Sequence, residues 1–177
     1  MEINNYKLFK RTKFKDERGF LSEIYKKREF DDLIKEKITF VQDNFVLSKK
    51  NVIRGLHYQV KPRSQGKYIS VLEGEIFDVI VDLRMKSENF GKWYGFNLSS
   101  LNCNSLWVPK GFAHGFLTLS ERSLVSYKLT DFYNSNADRS IKWDSRKLDI
   151  KWPNKSNIIL SDKDRSAPEF DERKSYE

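Results

Sequence analysis

Tyr68-Ile69-Ser70-Val71-Leu72-Glu73-Gly74-Glu75-Ile76-Phe77-Asp78-Val79-Ile80-Val81-Asp82-Leu83 is the stretch on which the fold turns. Two runs rich in β-branched and aromatic residues flank Glu73-Gly74-Glu75, and this pattern predicts a hairpin. In the second run Phe77, Val79, Val81 and Leu83 share one face, because successive side chains alternate across a strand. Asp78 and Asp82 fall on the other face with Ile80 between them, a mixed surface suited to a barrel interior or an interface.

Working outward, short strands recur at Tyr94–Leu98, Ser105–Val108, Gly115–Leu119 and Leu124–Leu129, separated by turn residues. On the N-terminal side Ile38–Asn44 is β-rich. Lys7–Phe14 is extended, and Asp16-Glu17-Arg18-Gly19 turns into a strand over Phe20–Tyr25. Between them, Arg28–Lys37 spaces Phe30, Leu33 and Ile34 as one face of a short helix. After Ser140 come two tryptophans and two prolines in a tail of loops and short turns. Many short strands and no βαβ alternation point to an all-β sandwich or jelly-roll barrel with a few short helices. No linker or repeat divides the 177 residues, so residues 1–177 are expected to form one domain.

Charged residues make up 33% of the chain, and no apolar run approaches a membrane span. The opening Met1-Glu2-Ile3-Asn4-Asn5-Tyr6-Lys7 lacks the apolar stretch of a secretory leader, and Cys103 is the only cysteine. The expected location is the cytoplasm, with no membrane partner. The net charge of +8 is spread among acids, as in Lys35-Glu36-Lys37, rather than gathered into the stripe that nucleic acid requires. No nucleic-acid partner is expected. Two histidines, His57 and His114, and one cysteine supply too few ligands for a transition-metal centre, so no metal is expected either.

Asn51-Val52-Ile53-Arg54-Gly55-Leu56-His57-Tyr58-Gln59 resembles the signature of the dTDP-4-dehydrorhamnose 3,5-epimerase family. Gln65-Gly66-Lys67, Gly74–Arg84 and Trp107-Val108-Pro109-Lys110-Gly111-Phe112-Ala113-His114-Gly115-Phe116 extend the similarity, which runs from Asp16 to Asp164 with family-like separations. The resemblance implies a cupin-like jelly roll, a homodimer, an active site inside the barrel and no cofactor. By the same resemblance His57 matches the catalytic base and Asp164 its paired carboxylate. Lys67 matches the lysine at the sugar ketone, and Tyr127 the acid on the opposite face. Arg54, Gln42 and Asn44 match substrate contacts, with His114 supporting the site. Arg18, Phe20 and Glu23 match a segment that helps bind nucleotide across the dimer, and Tyr133 an aromatic of the base pocket.

The chemistry explains why such residue types belong together. A hydrogen on the carbon beside a ketone is weakly acidic, because its loss leaves an enolate, and a 4-keto sugar has two such carbons, C3 and C5. Inversion needs a base at the carbon, a positive charge at the ketone oxygen and an acid on the other face. Histidine, with an ordinary pKa of about 6.5, is largely neutral at pH 7, and a carboxylate can fix its tautomer. A lysine ammonium stabilises the enolate oxygen, and a well-placed phenol delivers the proton. Arginine forks suit the diphosphate, and Arg18 and Arg54 are the candidates. The partner expected is therefore a nucleotide-diphosphate sugar, dTDP-hexose or GDP-heptose, on a route to polysaccharide precursors. The competing readings are an epimerase of C3 or C5 alone and a non-catalytic sugar-nucleotide-binding barrel.

Overall fold

The computed structural model describes residues 6–173; residues 1–5, in which no leader was read, and 174–177 lie outside the described residues. In chain order the elements are β1 (Lys7–Phe9), β2 (Lys13–Asp16), β3 (Gly19–Ser22), α1 (Lys27–Ile34), β4 (Gln42–Lys49), β5 (Ile53–Gln59) and β6 (Lys67–Glu73). They continue with β7 (Glu75–Asp82), β8 (Trp93–Ser99), β9 (Ser105–Val108), β10 (Phe112–Thr118), β11 (Arg122–Leu129), β12 (Asp138–Ser140) and α2 (Asp162–Arg165). Two five-stranded antiparallel sheets, ordered β1-β9-β6-β11-β4 and β12-β5-β10-β7-β8, build the jelly roll, and β2 and β3 form a separate hairpin.

The expected hairpin over residues 68–83 does not form. β6 pairs with β9 and β11, while β7 pairs with β8 and β10 in the other sheet. Gly74 sits at φ +76, and a Cβ there would lie 2.1 Å from the Arg122 carbonyl oxygen, so this residue carries the chain around a tight corner between sheets. The alternation in β7 is as expected. Val79, Val81 and Leu83 face outward under Ile150, Trp152 and Phe170 of the C-terminal segment, whereas Ile76 and Ile80 point between the sheets at Ile69, Leu106 and Phe116. The mixed face is therefore the barrel interior.

Boundaries move for packing reasons. α1 ends at Ile34, where Lys35 takes a left-handed conformation at φ 63, and Leu33 is exposed while Phe30 is buried. β4 starts at Gln42 rather than Ile38, because Ile38 and Phe40 leave the sheet to pack with Phe30, Tyr68 and Trp107. Tyr25 joins the same aromatic cluster, which ends the N-terminal strand at Ser22.

Two features aim the chain at one end of the barrel. Gly55 and Gly115 bring β5 and β10 into backbone contact, since a Cβ on Gly55 would stand 2.5 Å from the Gly115 Cα. The register slips between His114 and Phe116, and His57 and His114 become cross-strand partners. Farther along, Ile159 exchanges backbone hydrogen bonds with Asn51 and Ile53 (2.9 and 3.1 Å), which lays the tail beside β5 and delivers α2 to its inner end.

Candidate active site

Two adjoining cavities of about 420 and 240 Å³ share His57, Lys67 and Tyr127 as walls. Gln42, Asn44, Tyr133, Asp138 and Lys163 line the larger, and Arg54, His114, Phe116 and Asp164 the smaller. A hollow of about 410 Å³ beyond Gln42, edged by Tyr25, Phe40 and Lys128, gathers no comparable set of groups. Chemistry, rather than size, selects the site.

His57 projects from β5 and Asp164 from α2, 107 residues later, yet Nε2 and Oδ1 stand 2.5 Å apart. Ser161 caps α2 by accepting the Asp164 N–H at 3.1 Å, and this fixes the carboxylate at the inner end of the tail. Burial alone would raise the Asp164 carboxyl, but the His57 ring, Ser161 and the Gly55 backbone hold it below the usual carboxylate range. It stays charged to orient the imidazole.

Lys67 opens β6 in the facing sheet, and its Nζ donates to the His57 carbonyl at 3.3 Å. Burial pulls this ammonium down to about 8; the Asp138 and Asp78 carboxylates oppose the fall, and Lys163 adds to it. Tyr127 lies on β11, opposite Asn44 of β4. Burial raises its phenol, while the Asn44 hydrogen bond and the Arg54 charge pull the other way. His57 and Tyr127 thus come from different sheets and face one cavity from opposite walls. His114 Nε2 meets Asp78 Oδ2 at 2.8 Å; this pair is enclosed, with side-chain exposures of 7% and 0%. Asp78 is raised by burial, against the pull of His114 and Lys67, and its Oδ1 has no hydrogen-bond partner.

Of the residues picked out in the sequence, nine converge on the cavities: His57, Asp164, Lys67, Tyr127, Gln42, Asn44, Arg54, His114 and Tyr133. Gln42 is braced from both sides, donating to Asn44 and accepting the Tyr133 N–H, each at 3.0 Å. Arg54 is held by Ser48 Oγ at 3.0 Å. Arg18, Phe20 and Glu23 line neither cavity. Arg18 forks onto Asp16, Phe20 is half exposed under Lys13 at 4.3 Å, and Glu23 pairs with Lys26. Sequence reasoning missed Asp138 and Lys163. Lys163 adjoins Asp164 in a charged stretch that reads equally well as solvated surface, and Asp138 carries no local signal. Asp78 was read on a mixed face suited to a barrel interior or an interface, without a task. Among the described residues, no three His, Cys, Asp or Glu side chains cluster as metal ligands would.

Residues 1–172 match the family model described as dTDP-4-dehydrorhamnose 3,5-epimerase. The chain is 49% identical over 159 residues to the dTDP-4-dehydrorhamnose 3,5-epimerase of Salmonella typhimurium, an alignment covering 90% of this chain and 87% of that protein. Its fold is similar to the crystal structure of dTDP-6-deoxy-D-glucose-3,5-epimerase from Legionella pneumophila in complex with dTDP-4-keto-L-rhamnose. The TM-score is 0.90 at 43% identity, with 96% of this chain and 89% of that chain covered. A crystal structure of dTDP-4-dehydrorhamnose 3,5-epimerase from Bacillus anthracis with TDP and PPi bound also matches at TM-score 0.90 and 44% identity, covering 96% and 98%.

Proposed function

This chain belongs to the dTDP-4-dehydrorhamnose 3,5-epimerase family, and we propose that it inverts C3 and C5 of a dTDP-linked 4-keto-6-deoxy sugar by the groups gathered around His57. The enzyme is an isomerase, a dTDP-sugar 3,5-epimerase. His57 takes the proton from the carbon beside the ketone, and the electron pair left behind moves onto the ketone oxygen. Asp164 stabilises the imidazolium formed, and the Lys67 ammonium stabilises the enolate oxygen. The enolate then collapses as Tyr127 delivers a proton from the other face. Exchange with water returns a proton to the tyrosinate and removes one from His57, and the cycle repeats at the second carbon. The supporting observation is that His57 and Tyr127 stand on opposing sheets with Lys67 beside the base.

Arg54 and the rim lysine Lys163 suit the diphosphate, with Tyr133 toward the base. The homodimer belongs to the same reading. Phe45 (75% exposed), Leu47 and Leu72 leave the outer face of the β4 sheet apolar, and the β2–β3 hairpin exposes Phe14, Phe20 and Leu21. A second copy would cover both and bring Arg18, Phe20 and Glu23 to its neighbour's cavity. The location proposed is the cytoplasm, in keeping with the one cysteine, Cys103, which is unpaired and buried; no helix among the described residues is long and apolar enough to cross a membrane.

The test is turnover in heavy water with dTDP-4-keto-6-deoxyglucose and, in parallel, a GDP-linked 4-keto heptose. Deuterium at both C3 and C5 of the dTDP sugar is the expected result. Label at one carbon supports single-centre inversion, preference for the heptose reassigns the substrate, and binding without label reduces the protein to a sugar-nucleotide-binding barrel.

A further inference from the structure

Asp138 opens β12, which pairs along β5 so that Asp138 lies opposite Gln59 and Ser140 opposite His57. Its side chain is only 12% exposed, and a single oxygen, Oδ2, accepts from the Tyr133 hydroxyl at 3.2 Å and from the Lys163 ammonium. Lys163 is the residue before Asp164 on α2, and Tyr133 belongs to the loop between β11 and β12. One carboxylate therefore ties together the edge strand beside the base, the helix that carries the base's partner, and an aromatic at the cavity rim. All three residues share the cavity with Lys67.

We propose that Asp138 is a positioning residue for the reaction: through Lys163 it holds α2, and with it Asp164, against His57, and its carboxylate balances the Lys67 ammonium in the cavity they share. The inference rests on the role assigned to Lys67 above. The charged and titratable groups around Lys67 besides Asp138 are Arg54, His57 and Tyr58 of β5, His114 of β10, Tyr127 of β11, Tyr133 of the loop after it, Lys163 and Asp164 of α2, and Asp78 of β7. Asp78 is paired with His114, whereas Asp138 is paired with Lys163 in the cavity that Lys67 also lines, so its charge acts on both cations. With Lys67 at about 8, the loss of one neighbouring charge falls within the range where the ammonium fraction changes steeply.

The test is the pH profile of kcat in the full-length enzyme. Asp138→Asn moves the alkaline limb to lower pH and lowers kcat at pH 8 by about tenfold, with KM changing much less. Asp138→Glu restores the limb. Lys163→Gln, which removes the repelling charge, moves the limb the other way, to higher pH. Opposite displacements by two variants that break the same ion pair would not arise from loosened packing, and the second variant keeps the test open if Asp138→Asn does not fold. A limb that stays in place in either folded variant, while the wild type turns over normally, overturns the assignment of Asp138. An inactive wild type overturns the epimerase reading and this inference with it.

Discussion

The molecule holds two histidine–aspartate pairs side by side, on neighbouring strands, and they differ in almost everything except composition. His57 and His114 are cross-strand partners in β5 and β10. The first meets a carboxylate brought from a distant helix at 2.5 Å and keeps 30% of its side chain open to the cavity. The second meets Asp78, from the adjacent strand β7, at 2.8 Å and keeps only 7% of its side chain exposed at the wall of the smaller cavity. In the first pair the carboxyl is held low despite burial; in the second, burial drives it up. Pairing alone therefore does not make a base. On the function proposed above, access to a reacting carbon does, and the tail that delivers Asp164 leaves His57 open to the cavity.

The comparison breaks first at His57. Exchanging it for Asn should cut kcat by about 10³-fold, as loss of a general base does, with the thermal midpoint little changed. Stopped assays on the folded variant check this, and retained turnover would make the open pair a structural one. Asp164→Asn leaves the imidazole without a charged partner and should cost about 10²-fold in kcat.

At the enclosed pair the order of effects reverses. His114→Ala strands the Asp78 carboxyl in the core and should lower unfolding free energy by about 3 kcal/mol, measured by urea titration, because a buried acid loses its hydrogen-bonded partner. Its kcat, measured below the unfolding transition, should fall far less than that of the His57 variant. The smallest effect is on titration order. Asp164, depressed, contributes stability that is present above its unfolded value near 3.8 and is lost only as pH falls through its lower folded value. Asp78, raised, costs stability as pH rises through the window above 3.8. On acidification Asp78 should take up its proton first, which carboxyl ¹³C resonances followed against pH would show. The reverse order would erase the electrostatic contrast between the pairs.

Much of this was legible in the residues and some of it was not, for definable reasons. β7, β9 and β11 announce themselves as runs of β-branched and aromatic residues, and the two faces of β7 were separated by their alternation, although the mixed one was left open between a barrel interior and an interface. The pairing of β6 with β7 was misjudged because a tight turn and a corner between sheets use the same glycine and the same flanking periodicity. The partners of a strand lie elsewhere in the chain. His57, Lys67, Tyr127 and Asp164 were assigned through family resemblance, since nothing local joins residues 57 and 164. Asp138 escaped because its meaning lies in where β12 runs, beside β5, and three residues of edge strand leave little trace in a sequence.

The contact between Gly55 and Gly115 has a consequence for how such a site can change. A Cβ at Gly115 would lie 2.9 Å from the Arg54 carbonyl oxygen and 3.0 Å from the Gly55 Cα, and one at Gly55 would meet Gly115 still more closely. Neither position can gain a methyl group unless the two strands separate, and separation would carry the two histidines apart with them. The spacing of this wall of the cavity is thus set by atoms that are missing. An engineer who repopulates the cavity with new side chains works against a fixed gauge, because this glycine pair sets the separation of the two strands that carry the histidines.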